Sequence, residues 1–250
     1  MPLPADWIVP DWPAPPPVRC LITTRNGGTS APPFDSMNLA AHVGDDPANV
    51  LANRRRLRRH LPAEPCWLEQ VHGTRVVDAG TVREATQADA CIARSPAQVC
   101  AVMIADCLPV LLCDRTGTTV AAAHAGWRGL SAGVLERTVA AMDRASAQLL
   151  AYLGPAIGPQ AFEVQADVLD AFTREDPRAQ QCFRARPVAV DAPRKWLADL
   201  YGLARQRLAR AGVEAVYGGS TCSFSEPARF FSHRRDGRTG RQAALVWLEA

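Results

Sequence analysis

Cys100-Ala-Val-Met-Ile104, Pro109-Val-Leu-Leu-Cys113 and Thr119-Val-Ala-Ala-Ala123 are the runs that decide the fold. Short apolar runs of this kind read as adjacent strands. Between the second and third lies Asp114-Arg-Thr-Gly117, which has turn chemistry, so those two strands form an antiparallel hairpin centred near residues 116 and 117. Folding about that centre sets Pro109 against His124. It also carries Cys107 and His124, 17 positions apart, to the open end of the hairpin.

Outward from the hairpin, the chain alternates helical and extended signals. On its N-terminal side, the first 17 residues contain seven prolines and read as an extended lead-in. A strand follows from Val18, ending in the loop Arg25-Asn-Gly-Gly-Thr-Ser30, whose glycines permit positive φ and whose amides can either cradle an anion or simply reverse the chain. Asp46-Pro47 is an N-cap followed by an N1 proline, and Val50, Leu57 and Leu61 recur at helical spacing, which predicts a helix to about Leu61. The Arg54–Arg59 run on it reads as a solvated face. On the C-terminal side, Ser131 is placed to cap a helix whose apolar face is Val134, Leu135, Thr138, Val139 and Met142. A strand at Leu149–Leu153, helices near 164–174 and 194–211, and a strand at Ala244–Leu248 complete the pattern. No linker rich in glycine or serine divides the chain. The expectation is a single α/β domain over residues 18–250, preceded by the lead-in at 1–17.

The composition excludes several classes of function. With 48% hydrophobic and 21% charged residues, the 250-residue chain has the make-up of a globular protein. Its net charge of +3 is too balanced to call for nucleic acid or a membrane surface as partner. No run approaches the ~20 apolar residues of a membrane-spanning helix. The N-terminus carries no secretion signal, and the eight cysteines show no C-x-x-C spacing, so reduced thiols and a cytoplasmic protein are expected.

Five histidines, at 42, 60, 72, 124 and 233, limit the candidate chemistry. His72 stands out in Leu68-Glu-Gln-Val-His-Gly73, just before the extended segment 74–78. With Cys107 and His124 it offers two imidazoles and a thiolate, a set suited to Zn²⁺ that leaves one coordination position open. The same residues admit a second reading, in which Cys107 is a nucleophile activated by His124 or His72, with Asp106 as orienter. A third reading makes Cys107 a small buried hydrophobe at a strand end. Arg128-Gly-Leu-Ser131 leads into a helix and offers amides and a guanidinium to phosphate, with Trp127 free to stack on a base or to fill the core. The polar stretch Phe230–Arg241 reads either as a pocket edge or as a charged turn.

Several ordered motifs carry a family resemblance. They are Thr24–Ser30, Ser36-Met-Asn-Leu39, Trp67–Gly73, Ala105-Asp-Cys-Leu-Pro-Val110, His124-Ala-Gly-Trp-Arg-Gly129, Gly154–Pro159 and Phe231–Gly240. Through them the chain from Val18 to Leu248 resembles the laccase-domain, or polyphenol oxidoreductase, family of YfiH-like purine nucleoside phosphorylases. The resemblance implies layered mixed sheets with helices outside, an α/β/β/α-like sandwich. It implies Zn²⁺ on His72, Cys107 and His124 beside a nucleoside pocket, with Cys107 and Asp106 at the chemistry. Phosphorolysis of adenosine, inosine and S-methyl-5'-thioadenosine is implied, with adenosine deamination as an associated activity of a monomer or homodimer. Asn38, Arg54, Gln70 and Arg128 are the candidate contacts for nucleoside and phosphate. The resemblance also carries an alternative, removal of L-serine from a UDP-linked wall precursor by a peptidoglycan editing factor. A non-catalytic zinc- and nucleotide-binding protein is the alternative outside enzymology. Five histidines without an H-x-H pair do not supply a four-copper oxidase, although Cu²⁺ can replace zinc on such ligands in a purified sample.

Overall fold

The computed structural model describes residues 2–83, 85–187 and 193–249. In chain order its strands are β1 (Val18–Ile22), β2 (Pro65–Cys66), β3 (Val76–Asp78), β4 (Ala90–Ala93), β5 (Val99–Ile104), β6 (Leu108–Asp114) and β7 (Val120–Ala125). They continue with β8 (Leu149–Leu153), β9 (Glu163–Val164), β10 (Phe183–Arg186), β11 (Lys195–Ala198), β12 (Ala215–Gly218) and β13 (Gln242–Leu248). The helices are α1 (Pro47–Arg58), α2 (Trp127–Ser131), α3 (Val134–Met142), α4 (Ala166–Thr173), α5 (Leu200–Arg210) and α6 (His233–Asp236).

Two mixed sheets stack face to face. One has the order β12-β8-β6-β7-β4-β3, the other β1-β13-β5-β2, and a small antiparallel sheet β10-β11-β9 lies apart from them in the pairing. Alternation along β6 explains the layering. Val110 and Leu112 pack with Leu135, Val139, Leu203 and Leu208 of α3 and α5, whereas Leu111 and Cys113 pack with Val102 and Val246 of the second sheet. Successive side chains point to opposite faces of a strand, so a run that is apolar at every position must be covered on both sides. On the far side of the second sheet, Ala101 and Leu245 meet Leu57 of α1. Helices, sheet, sheet and helix thus form the four layers of an α/β sandwich, as the family resemblance implied.

The β6–β7 hairpin has the expected register, with Pro109 opposite His124 and Val110 opposite Ala123. The Asp114 carboxylate closes its turn by accepting from the amides of Thr118 and Thr119. Other expectations need correction. The Cys100–Ile104 run is not a neighbour of this hairpin: β5 pairs with β13 and β2 in the other sheet, and residues 105–107 carry the chain across. Apolar composition reports burial, not the identity of the pairing partner. The helix expected over 194–211 begins only at Leu200, because Lys195–Ala198 pairs with both β10 and β9. Likewise Glu163–Val164 is extended, and α4 starts at Ala166. α1 ends at Arg58, with Leu61 still buried in the turn beyond it. Ser131 does not cap α3. It closes α2, its hydroxyl donating to the Arg128 carbonyl, and Gly133 at φ +96° starts α3 with the five expected residues buried. Residues 2–17 run through tight turns, the Trp7 amide donating to Pro4 O and the Val18 amide to Pro15 O, and are tied down, Trp7 being buried and Ile8 bridging Ile22.

Leu111 is fully buried between the two sheets. Leu111→Ala should lower the unfolding free energy by about 2–5 kcal/mol, read by urea denaturation. An unchanged midpoint would contradict the two-sheet core.

Candidate metal centre

The candidate ligands arrive on two connections and one strand at one end of the six-stranded sheet. Cys107 lies in the crossing from β5 to β6, where Asp106 adopts φ +90°. His124 sits in β7, one register position from the strand end. His72 lies in the loop before β3 with φ +59°, a left-handed conformation that costs a non-glycine residue energy unless its surroundings impose it. One ligand atom from each of His72, Cys107 and His124 lies within 4.8 Å of the others. The Cys107 Sγ is 3.6 Å from His72 Nε2, and the two imidazole centroids are 4.8 Å apart, edge to face. Gly126 leaves room for this approach: a Cβ there would stand 2.8 Å from His72 Cδ2 and 2.9 Å from Cys107 Sγ.

What imposes the His72 conformation is Asp89, whose side chain is fully buried. Its Oδ1 accepts from the His72 amide at 2.9 Å and its Oδ2 from the Gly73 amide at 2.7 Å, with Val71 N at 3.3 Å. The same Oδ1 lies 2.8 Å from His124 Nδ1. That bond fixes the ring so that Nε2 is the nitrogen left for a ligand role. Burial opposes ionisation of Asp89, but His124 and the loop amides hold its carboxyl below the usual range. Burial likewise raises the Cys107 thiol, and the facing His124 charge with the imidazole hydrogen bonds outweighs it, bringing the thiol down to about 6. His124 is pushed down by burial and, more strongly, up by Cys107 and Asp89, to about 9. A preformed thiolate beside two imidazoles, one of them oriented by a carboxylate, fits the requirements of a divalent metal.

The other candidate residues are differently employed. Asp106 does not orient either imidazole. Its carboxylate accepts from Ser223 Oγ, Ser232 Oγ and the Arg234 amide, which ties the Phe230–Arg241 stretch onto the Cys107 turn. Asn38 is fully buried and spent on its surroundings: Oδ1 accepts from the amides of Ala40 and Arg241, and Nδ2 donates to Ala40 O and Asp45. Gln70 brackets the Met103 backbone through both side-chain ends, at 2.7 and 2.8 Å. Arg128 is already inside α2, exposed, with its guanidinium 4.4 Å over the Trp127 ring. Arg54 remains a candidate contact. It lines a cleft of about 720 Å³ together with His42, Trp67, Glu69 and Met103.

Asp89 escaped sequence reading. Its signal is a lone carboxylate in Ala88-Asp-Ala-Cys-Ile-Ala93, an otherwise apolar run entering a strand. Nothing local announces that its partners lie 16 and 35 residues away.

Comparison with known proteins shows the family of the chain. The family model described as multi-copper polyphenol oxidoreductase laccase matches residues 19–249. The chain belongs to this family. A purine nucleoside phosphorylase of Pseudomonas aeruginosa is 55% identical over 97% of this chain and 98% of its own, and the purine nucleoside phosphorylase YfiH of Escherichia coli is 52% identical over 96% and 98%. Among solved structures, a Neisseria meningitidis protein of the DUF152 family superposes with a TM-score of 0.92 at 50% identity, covering 98% of this chain and all of that one. YlmD from Geobacillus stearothermophilus superposes at 0.80 with 30% identity, over 94% and 93% of the two chains. Within the family fold, no helix among the described residues is long and apolar enough to cross a membrane.

Asp89→Asn places an amide donor where only acceptors fit. The variant should lose about 10–100-fold in affinity for the metal and about 1–3 kcal/mol of stability, measured by competition with a chromophoric chelator and by urea denaturation. Wild-type metal affinity in this variant would contradict the assignment. In metal-free protein, the Cys107 thiolate should give an absorbance at 240 nm that disappears as the pH falls through about 6, and Cys107→Ala should abolish that transition.

Proposed function

We propose that this protein is a zinc-dependent purine nucleoside phosphorylase acting on adenosine, inosine and S-methyl-5'-thioadenosine, with adenosine deamination as a second outcome at the same site. The observation that carries the reading is the His72–Cys107–His124 cluster with its Asp89-tied imidazole, set in a family whose similar members are named purine nucleoside phosphorylases. Two nitrogens and one sulfur favour Zn²⁺ over the hard, oxygen-seeking cations, and three protein ligands leave a position for substrate. Eight free cysteines favour a reducing compartment such as the cytoplasm.

In phosphorolysis a phosphate oxygen bonds to the ribose anomeric carbon as the bond to purine N9 breaks, with the electron pair leaving on the base. When bound, Zn²⁺ supplies Lewis acidity toward a substrate polar atom. The chain's own residues supply the rest. Cys107 offers its charge without first giving up a proton at neutral pH, since its thiol titrates near 6. Asp89 keeps the Nδ1 proton on His124, so that ring cannot turn its donor face into the site. Asp106, Ser223 and Ser232 fasten the C-terminal stretch to the Cys107 turn, which holds that turn in place. Arg54, partly buried and stacked on Trp67 at 4.2 Å, provides a cation on the cleft wall.

The test is metal analysis combined with chromatography of products. Zinc-loaded protein should release adenine and ribose 1-phosphate from adenosine only when phosphate is present. His72→Ala, Cys107→Ala and His124→Ala should each lose stoichiometric metal and at least about 100-fold in turnover while retaining the wild-type circular dichroism. Full turnover in metal-free Cys107→Ala would reject the reading. Inosine regardless of phosphate, with no ribose 1-phosphate, would leave only the deaminase. Release of an amino acid from a wall precursor, with no nucleoside chemistry, would replace it with hydrolysis.

A further inference from the structure

None of the candidate metal ligands or substrate contacts lines a second cavity, of about 450 Å³, at the start of α5. One wall runs from Asp199 to Arg205, and the others are the loops after β8 and β12, with Gly158-Pro-Gln160 and Ser220-Thr-Cys222. These two loops hold each other in place. The Ser223 amide donates to the Ala156 carbonyl at 2.9 Å, and the Gly158 amide donates to Cys222 Sγ at 3.2 Å. The Gly154–Pro159 motif, which the metal centre leaves unused, thereby becomes one side of an enclosed, fixed space.

Two opposite charges line this cavity without pairing. Asp199 precedes α5 yet makes no capping bond to its first turn, and its Oδ1 is buried without a hydrogen-bond partner. Glycine at 202 keeps the other oxygen clear: a Cβ there would stand 2.9 Å from Asp199 Oδ2 and 2.8 Å from Cys182 Sγ. Burial first, and then the Asp199 charge, push the Cys182 thiol up to about 11, so this neighbour stays protonated and neutral. Arg205 is half-buried and donates from Nη1 to Val216 O at 2.9 Å and from Nη2 to Gly218 O at 2.8 Å. Two such bonds spend only part of its five-donor fork. Among the described residues, no ion pair joins Asp199 and Arg205 to each other or to another side chain. A half-buried carboxylate and a half-buried guanidinium each gain from a charge-assisted bond to a ligand. A ligand with a single charge would satisfy one of them and be repelled by the other.

We propose that this cavity binds a small zwitterion of the amino-acid class, with its ammonium on Asp199 and its carboxylate on Arg205. The space is within the range of small-molecule pockets and leaves room for a side chain beside Cys222 and Ser225. Gln160 accepts from Arg184 through Oε1, which leaves its amide NH₂ to the ligand. The site is independent of the reaction at the metal centre.

The test is isothermal titration calorimetry of the zinc-loaded protein with glycine, β-alanine, γ-aminobutyrate and 6-aminohexanoate, which span a range of charge separations. At least one should bind saturably, and butylamine and butyrate, which carry one charge each, should bind about tenfold or more weakly. Asp199→Asn and Arg205→Gln should each weaken the zwitterion about tenfold or more, with zinc content and circular dichroism unchanged. Arg205→Lys, which keeps the charge and loses the fork, should fall between wild type and Arg205→Gln. Ser225 is an exposed wall residue, so Ser225→Trp should block binding while touching neither charge. Saturable binding by none of the four zwitterions, or binding of wild-type strength in Asp199→Asn, would overturn the site. Butylamine bound as tightly as γ-aminobutyrate would make it a plain cation site and overturn the zwitterion assignment.

Discussion

The buried carboxylate of Asp89 is the interaction on which the site depends. It accepts from the His72 and Gly73 amides on one side and from the His124 ring on the other, and its own carbonyl accepts the His124 amide at 2.7 Å. A buried carboxylate is expensive unless charge-assisted bonds satisfy it. Here those bonds also hold His72 in a left-handed conformation and select the free nitrogen of His124. One residue thereby sets the position of two candidate ligands that approach from a loop and from a strand. Tying a loop to a strand in this way puts the cluster on a rigid frame, where ligands must be held closely to bind a metal well.

That frame exists because the chain changes sheets at residues 105–107. β5 belongs to one sheet and β6 to the other, so the crossing emerges at the edge between two stacked layers, carrying Cys107. The six-stranded sheet is buried on both faces, by α3, α4 and α5 on one side and the second sheet on the other. Asp106 anchors the crossing to Ser223 and Ser232, segments distant in sequence that close over it.

Much of this was legible in the sequence where local rules decide. Asp114-Arg-Thr-Gly117 sets the hairpin register, and the register alone brings Cys107 toward His124. The five apolar positions of α3 follow from helical periodicity, and the four-layer architecture follows from family resemblance. What was not legible depends on long-range pairing. Lys195-Trp-Leu-Ala198 falls within the stretch whose sequence reads as helix, and only its partners Phe183–Arg186 and Glu163–Val164 make it a strand. Asn38 and Gln70 look like ligand contacts by polarity, yet both are spent on the backbone of neighbouring segments. Asp89 gains its meaning from residues far along the chain.

The family's description as a copper laccase and the phosphorylase names of its members make different demands on the site. One His₂Cys cluster among the described residues, with a carboxylate behind one imidazole, suits a single divalent metal better than a multi-copper electron path. The most direct test is to supply fully ¹⁸O-labelled phosphate with adenosine to the zinc-loaded protein and follow the ³¹P isotope shift of the products. Phosphate attack at the anomeric carbon predicts ribose 1-phosphate that retains the label on all of its phosphoryl oxygens, including the one bridging to ribose. Free ribose with the labelled phosphate left unreacted would show that water is the nucleophile and contradict the account.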